Sequence, residues 1–427
     1  MRKMKDSGVE WIGLIPEDWM MTKVKFVADF YNGDRGKNYP SGDDLVDDGI
    51  VFLTSNNIHS TVLDTNPEIT KYITPERYRL LGGAKIKKGD LVFCLRGSVG
   101  LCSINESEDE GTVASSLTVL RPKNINNHFL NFILNSKIAE IQTKKFENGS
   151  CAANLSAENV GTYIIPYPPL AEQQRIADFL DEKCGEIDSI RSDIQKQIDI
   201  LNDYKKSIIT EAVTKGLNPK ARLKDSGIEW IGKIPEGWDV KPNKRIMKKI
   251  KQIKSKYEGE PILSLTMNGV VVRDLDNLVG KRPASFDGYQ IIKPGNLLMC
   301  LFDIDVTPRC IGLIKNKGLT SPAYSHFALE NIAYAPYYYY YYLFLDMTKE
   351  LLHLAKNLRH SLTEDDLGAI KTVIPPLSEQ KAIADYLDEK CSEIDATIAD
   401  KQRQLETLDE YKKSLIFEYV TGKKEVS

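Results

Sequence analysis

The chain says nearly the same thing twice. Residues 5–19 (KDSGVEWIGLIPEDW) return at 224–238 (KDSGIEWIGKIPEGW), a shift of 219 positions (224 − 5). A second block, Pro168-Pro-Leu-Ala-Glu-Gln173, returns as Pro375-Pro-Leu-Ser-Glu-Gln380, a shift of 207 (375 − 168). It continues through Ile176–Cys184 and Ile383–Cys391 and is still legible at Tyr204-Lys-Lys-Ser207 and Tyr411-Lys-Lys-Ser414. Between the matched blocks the halves differ, and the second is 12 residues shorter (219 − 207). A repeat constrains architecture before any local feature does. Two like frames hold two unlike inserts, as expected of a chain that reads two different things at a set distance.

With 427 residues the chain is long enough for two or three domains with sizeable cores. Its 42% hydrophobic and 27% charged residues are ordinary for a globular protein. It has no run of about 18 apolar residues, so no membrane span is expected. Residues 1–20 lack the apolar core of a signal peptide, which points to a cytoplasmic protein. Cys94, Cys102, Cys151, Cys184, Cys300, Cys310 and Cys391 form no CxxC pair and read as reduced, mostly buried thiols, with no structural zinc expected.

The net charge of −3 suits a nucleic-acid binder poorly, but the charge is unevenly placed. Segment 171–214 holds ten acids and six bases, and segment 378–421 eleven acids and six bases. Residues 217–377 hold 23 bases and 17 acids, whereas residues 1–170 hold 19 bases and 21 acids. The second insert is therefore electrostatically suited to a phosphate backbone, and the first, taken whole, is not.

Segment 171–214 contains no proline and one glycine, Gly185. Leu180, Ile187, Ile194, Leu201 and Ile208 recur every seven residues, with Ile176, Cys184, Ile190, Ile198 and Tyr204 near the intervening positions. This spacing predicts a coiled-coil helix. Pro168-Pro169 blocks it upstream, and Gly216 with Pro219 ends it. The copy at 378–421 offers Leu387, Ile394, Ile398, Leu405, Leu408, Tyr411 and Leu415, interrupted by Lys401, which either sets register or faces solvent. Each helix of about 44 residues would run about 66 Å at a 1.5 Å rise. The simplest partner for each seam is the other helix, as an antiparallel pair; the plainer alternative packs each helix on its own domain. Their acidic surfaces would repel phosphates, so they should separate domains or bind proteins, not lie along DNA.

Both inserts read as mixed α/β. In the first, residues 91–95, 101–104 and 112–120 read as strands and 129–146 as helical. In the second, the strand after Lys293-Pro-Gly-Asn296, then 310–314 and 325–329, precede a helical stretch from Tyr337 to Lys356. The six consecutive tyrosines Tyr337–Tyr342 invite a base-stacking role, but six adjacent helical residues point all round the axis and are better read as core or interface. No GxxxxGK[ST] loop, GxGxxG, GxSxG elbow or metal-ligand histidine spacing is present, and Ala335-Pro336-Tyr337-Tyr338 matches an amino-methyltransferase motif only superficially. A non-catalytic role follows.

Polar and basic loop clusters remain. The turn 31–39 offers Arg35, Lys37 and Asn38; residues 54–59 offer Ser55, Asn56 and Asn57; the glycine-flanked loop 96–100 offers Arg96 and Ser98. Arginine and lysine suit guanine edges, and asparagine adenine edges. Lys241–Lys256 holds eight bases and no acid, giving Lys244, Arg245, Lys248, Lys249, Lys251, Lys254 and Lys256 as phosphate contacts. Arg273, Lys281, Arg282, Arg309, Tyr324, Lys356 and Arg359 are secondary candidates. The plain alternative for any one of them is a solvated surface residue.

The two Pro-Pro-Leu-x-Glu-Gln helix starts and two Trp-Ile-Gly-x-Ile-Pro-Glu-x-Trp blocks resemble those of the DNA specificity subunits of type I restriction–modification enzymes, over essentially the whole chain. The resemblance implies an α/β fold of two mixed α/β target-recognition domains, 1–170 and 217–376, joined by an antiparallel coiled coil, 171–216 and 377–422, with pseudo-two-fold repeat symmetry and a tail at 423–427. It implies double-stranded DNA, two methyltransferase (modification) subunits and restriction/translocase subunits as partners. It implies no cofactor on this chain; S-adenosylmethionine, ATP and Mg would belong to the partners. Each insert would read half of a split, asymmetric target through the major groove, with roughly five to eight unread base pairs between halves sited about one helical turn apart. The repeat further predicts that residues 423–427 and 1–4 lie together, as 217–223 join the other frame. Shortening both helices by a heptad, about 10 Å, should change the spacer. The competing reading is a coiled-coil scaffold that binds only proteins, and the third is a stand-alone methyltransferase.

Overall fold

The computed structural model describes residues 2–59, 61–146, 155–276, 283–355 and 360–426. They divide into two compact units, one made of residues 1–194 with 403–427 and the other of residues 195–402. Among the described residues no helix is long and apolar enough to cross a membrane.

The first unit is built on a four-stranded antiparallel sheet of β1 (Ala28–Asn32), β2 (Leu91–Cys94), β3 (Cys102–Ile104) and β4 (Leu117–Pro122), ordered β1-β4-β2-β3. The uninterrupted apolar run of β2 is buried on both faces, as a central strand requires. A second sheet sets Gly111–Val113 parallel to Ile50–Leu53, followed by Lys71–Ile73 and Leu45–Val46. The single strand expected over 112–120 is instead two, in different sheets, because Leu117 N–H turns back onto Ala114 O. The helical stretch expected over 129–146 is likewise broken. Helix α1 (Asn127–Leu134) stops at Asn135, and the Ser136 hydroxyl caps a new helix over Lys137–Lys144.

Two long helices follow the prolines: α2 (Leu170–Lys215) and, in the second half, α4 (Leu377–Val420). The second unit repeats the sheet with β5 (Met247–Ile250), β6 (Leu297–Met299), β7 (Ile311–Leu313) and β8 (Ser325–Leu329), again antiparallel and in the corresponding order β5-β8-β6-β7. The hairpin Leu263–Thr266/Gly269–Val272 and the pair Gln290–Ile292/Gly318–Thr320 complete it. Helix α3 (Ala335–Met347) carries the tyrosine run, which is structural. The hydroxyls of Tyr337, Tyr338 and Tyr342 donate to Val213 O, Val373 O and Asn243 Oδ1, and that of Tyr340 donates to Asp388 Oδ1. One helix thereby ties α2, α4 and the strand Lys371–Ile374 into one core.

The repeated sequence blocks have a physical reason. Trp19 Nε1 donates to Glu172 Oε2 (2.9 Å), and Trp238 Nε1 to Glu379 Oε2 (3.0 Å), so each Trp block grips the first turn of a long helix. The next residue is a fully buried glutamine in both copies. Gln173 accepts from Asn126 N and donates to Pro168 O; Gln380 accepts from Tyr334 N and donates to Pro375 O and Ile332 O. The helices end at Gly216 and Gly422, both at positive φ, where a Cβ would collide with Glu379 and Pro16 respectively. Only the first copy adds Arg2, which pairs with Glu172, Asp18 and Glu425, so residues from the two ends of the chain meet in this unit.

Within each unit the long helices run antiparallel. In the first, Asp188 meets Lys412 (2.7 Å), Arg191 meets Asp409 (2.8 Å), and the Phe179 and Tyr419 rings lie 4.4 Å apart. In the second, Lys205 meets Asp395 (2.6 Å), and Lys401 donates to Gln197, so the seam lysine is held across the pair. Leu180, Ile187, Ile194, Ile198, Ile208, Leu387, Ile394 and Leu415 are buried; Leu201, Ile398, Leu405 and Leu408 are partly so. The seam also merges with the domain cores: Leu180 and Leu415 share one cluster with β2, and Ile208 and Leu387 share another with β6. Ile190 and Tyr204, read as flanking the seam, and Tyr411, read as part of it, are at least half exposed, because a 3.6-residue turn drifts off a seven-residue repeat.

Candidate nucleic-acid interface

Strand pairing gathers the loops of the first unit at one end of its sheet. Asn32 pairs with Thr118 and Cys94 with Leu117, so the exits of β1 and β2 adjoin the entry of β4. Arg35, Lys37 and Asn38 leave from β1 at this end, and Arg96 and Ser98 from β2. Backbone bonds bring in the third loop: Ala114 N–H donates to Leu53 O and Leu95 N–H to Ser116 O, both at 2.8 Å. Ser55 Oγ lies 3.9 Å from where a side chain on Gly97 would begin. Gly33 is required where β1 exits, since a Cβ there would sit 2.4 Å from Ala114 O. Arg35, Lys37, Asn56, Arg96 and Ser98 are exposed. Asp34, the acid among them, turns its carboxylate onto Gly82 N and Gly83 N. Burial pushes the Cys94 thiol up, and it remains a protonated donor to Arg96 O at 3.0 Å.

The second unit uses the same end of its sheet. Ile250 pairs with His326 and Met299 with Ser325, so the exits of β5 and β6 adjoin the entry of β8. Here the Cys300 thiol, also raised by burial, bonds Phe302 O (3.4 Å). The Phe302 ring stacks with Tyr324, centroids 6.5 Å apart, and Arg309 joins them around a cleft of about 240 Å³. Gln290 fixes the entry of β8 by donating to Ser321 O and Tyr324 O. His326, fully buried against Asn296, is held below the ordinary imidazole value by that burial and stays neutral.

At the other end of each sheet the chain turns towards its long helix. β4 ends at Pro122 and the chain reaches Asn126, on Gln173; β8 ends at Leu329 and reaches Tyr334, on Gln380. A strand of six residues spans about 20 Å, so within each unit the acidic helix starts are set apart from the clustered loops.

The model of the type I restriction modification DNA specificity domain matches residues 16–206 and 314–407, two thirds of the chain. The chain belongs to the type I restriction modification DNA specificity family. It is 26% identical to the putative type I restriction enzyme MjaX specificity subunit of Methanocaldococcus jannaschii, over 96% of this chain and 95% of that one. It is 24% identical to the MjaVIII specificity subunit of the same organism, over 96% and 93%. Its fold is similar to a chain solved in work on complex assembly and conformational transition of the type I R-M system, with a TM-score of 0.69 at 15% identity, covering 96% of this chain and 99% of that one. As a specificity subunit, the chain is the non-catalytic component of such a system.

Several candidates of this specificity subunit lie away from its exposed loops. Asn57 is fully buried: its Oδ1 accepts from Thr54 N, and its Nδ2 donates to Asp64 O and Thr70 Oγ1, leaving nothing for a base. The basic run 241–256 is not one patch. Lys244 and Arg245 precede β5 and Lys251 follows it, about 13 Å on. Lys249 is paired with Glu364. Lys254 is paired with Glu258 and Glu260, and it holds the Glu260 carboxyl down to about 2, so this lysine is already neutralised. Lys248, Lys251 and Lys256 are exposed, and residues 252–254 run beside Tyr289–Ile291, next to Tyr324. Arg273 follows the open end of its hairpin, away from the Met267 tip. Lys281, Arg282, Lys356, Arg359 and Cys151 lie outside the described residues. The other six cysteines are free and buried. Among the described residues no cluster of three or more His, Cys, Asp or Glu side chains could hold a metal. The loop-anchoring cysteines were missed from sequence, although Cys94-Leu-Arg96 and Cys300-Leu-Phe302 stand at matching places after matching strands.

Proposed function

We propose that this chain recognises a bipartite, asymmetric DNA target, each unit reading one half through the loops at one end of its sheet, and that it assembles with two modification subunits and with restriction subunits. S-adenosylmethionine, ATP and Mg would act on those partners. The observation that carries the reading is the repeated sheet order with unlike loops: Arg35, Asn56 and Arg96 in one unit, Lys251, Phe302, Arg309 and Tyr324 in the other. Identical frames with different reading groups fit two different half-sites, and basic groups beside base-reading ones fit phosphate contacts that set register. The acidic helices, tied to the far end of each sheet, suit protein partners better than phosphates.

Long-read mapping of methylated positions in cells carrying this chain and its modification subunit tests it. The expected result is two unlike half-sites at one fixed spacing. A palindromic target, or methylation independent of this chain, refutes the reading. A protein-only scaffold would also show no DNA affinity that falls with rising salt.

A further inference from the structure

Resting on that reading of the loop end of the second unit, we propose that Phe302 and Met267 contact the 5-methyl group of a thymine, and that Phe302 fills the specificity position that Arg96 fills in the first unit. Arg96 and Phe302 each stand two residues after a buried strand-end cysteine whose thiol bonds their carbonyl oxygen. In the second unit Thr307 Oγ1 adds a bond to the same oxygen, and the Tyr324 ring backs Phe302. The backbone is thus fixed from below while the side chain faces outward, as a cationic fork in one unit and an apolar ring in the other.

Met267 sits at the tip of the hairpin, where Asn268 N and Gly269 O bond the Thr266 hydroxyl. It is 57% exposed and Phe302 is 39% exposed, yet both line one cleft with Arg309. Apolar side chains so placed add little to the fold and suit an apolar ligand group. In the major groove only thymine presents one. The same loop carries exposed Asp303 and Asp305, which disfavour a phosphate strand along this rim but can accept from a cytosine amino group. The cation for the backbone stands beside it in Lys251, leaving β5 at this end of the sheet. Charge complementarity therefore points to duplex DNA with base edges, not phosphates, in the cleft.

The test uses the chain assembled with its modification subunit and the target defined by methylation mapping. Each thymine is replaced singly by deoxyuridine, which removes only the methyl. Burying one methyl corresponds to about a fourfold change in affinity. One replacement, in one half-site, should weaken binding by about that factor. The double variant Phe302→Ala, Met267→Ala should bind both duplexes equally, and Phe302→Leu should keep the discrimination. A half-site pair in which no deoxyuridine replacement matters, or a double variant that still discriminates, overturns the assignment. Complete absence of sequence-specific duplex binding would instead overturn the DNA reading beneath it.

Discussion

Removing the buried glutamine of one repeat should loosen one unit and spare the other. Gln380 holds Tyr334 N–H, Ile332 O and Pro375 O, and is itself fully buried. Gln380→Met keeps the length of the side chain and deletes all three bonds. At about 1 kcal/mol for each buried group left unpaired, the cost is about 3 kcal/mol. Gln173→Met strands Asn126 N–H and Pro168 O, and should cost about 2 kcal/mol on the same basis. Because two units need not unfold together, a single melting temperature is a poor readout, and hydrogen exchange resolves them. A loss of 3 kcal/mol raises exchange through local opening roughly 150-fold. For Gln380→Met the rise should fall on 332–347 and 377–391, with 126–134 unchanged; Gln173→Met should do the reverse. Gln380→Glu adds a pH signature. Facing two carbonyl oxygens, the introduced carboxyl has a folded-state pKa above its unfolded value. Its stability is therefore fullest at acidic pH and is lost as pH rises through the folded value. Exchange rates that change less than tenfold, or change equally in both units, would refute the clamp.

Three further outcomes are expected. His128, on α1, bonds Asp181 of α2 at 2.9 Å and lies 3.3 Å from Glu106, and that hydrogen bond to Asp181 raises its pKa. Its contribution is complete below the unfolded value of about 6.5 and fades as pH rises through the raised folded value; since the pair is partly exposed it is about 0.5 kcal/mol. His128→Gln should therefore lower hydrogen-exchange protection over 127–134, corrected for the intrinsic rate at each pH, more at pH 6 than at pH 8.5, and an equal loss would disprove the linkage. Asn57→Ala strands three groups and should destabilise by about 3 kcal/mol in chemical unfolding, whereas Asn56→Ala should leave stability unchanged and alter DNA binding alone. In binding titrated against salt, Lys251→Ala with Lys256→Ala should flatten the logarithmic slope by about two, whereas Lys249→Ala with Lys254→Ala should leave it nearly as steep.

What could be read from sequence was whatever rests on neighbours in the chain. The long helices announce themselves through proline, heptad and glycine, and their observed ends at Leu170, Lys215, Leu377 and Val420 fall within a residue or two of the expected ones. The tyrosines of α3 reveal their packing role by adjacency alone. What stayed hidden depends on partners far along the chain. Nothing near Asn57 signals that Thr70 will hold it, and nothing near Lys249 signals Glu364, 115 positions away (364 − 249). Arg121 looks like any surface arginine, yet it is bound to buried Asp90 through two nitrogens. Pairing registers, too, are invisible from one strand, and they alone reveal that loops leaving β1 and β2 share an end.

The same registers explain why one frame can carry two unlike sets of loops. In the frame, buried side chains satisfy their neighbours: Trp19 with Glu172, Trp238 with Glu379, and each glutamine with backbone groups around a helix start, two for Gln173 and three for Gln380. Changing any of these leaves a polar group unpaired away from water, so the two copies keep the same residues. The loops are held differently. Leu95 N–H bonds Ser116 O, Ala114 N–H bonds Leu53 O, and a cysteine thiol bonds the carbonyl two residues on; no bond in this set uses the side chain that faces outward. Arginine at 96 and phenylalanine at 302 can therefore stand on equivalent backbone without altering what supports it. Specificity is then separable from stability, and exchanging outward-facing loop residues should change what is read while leaving the fold intact.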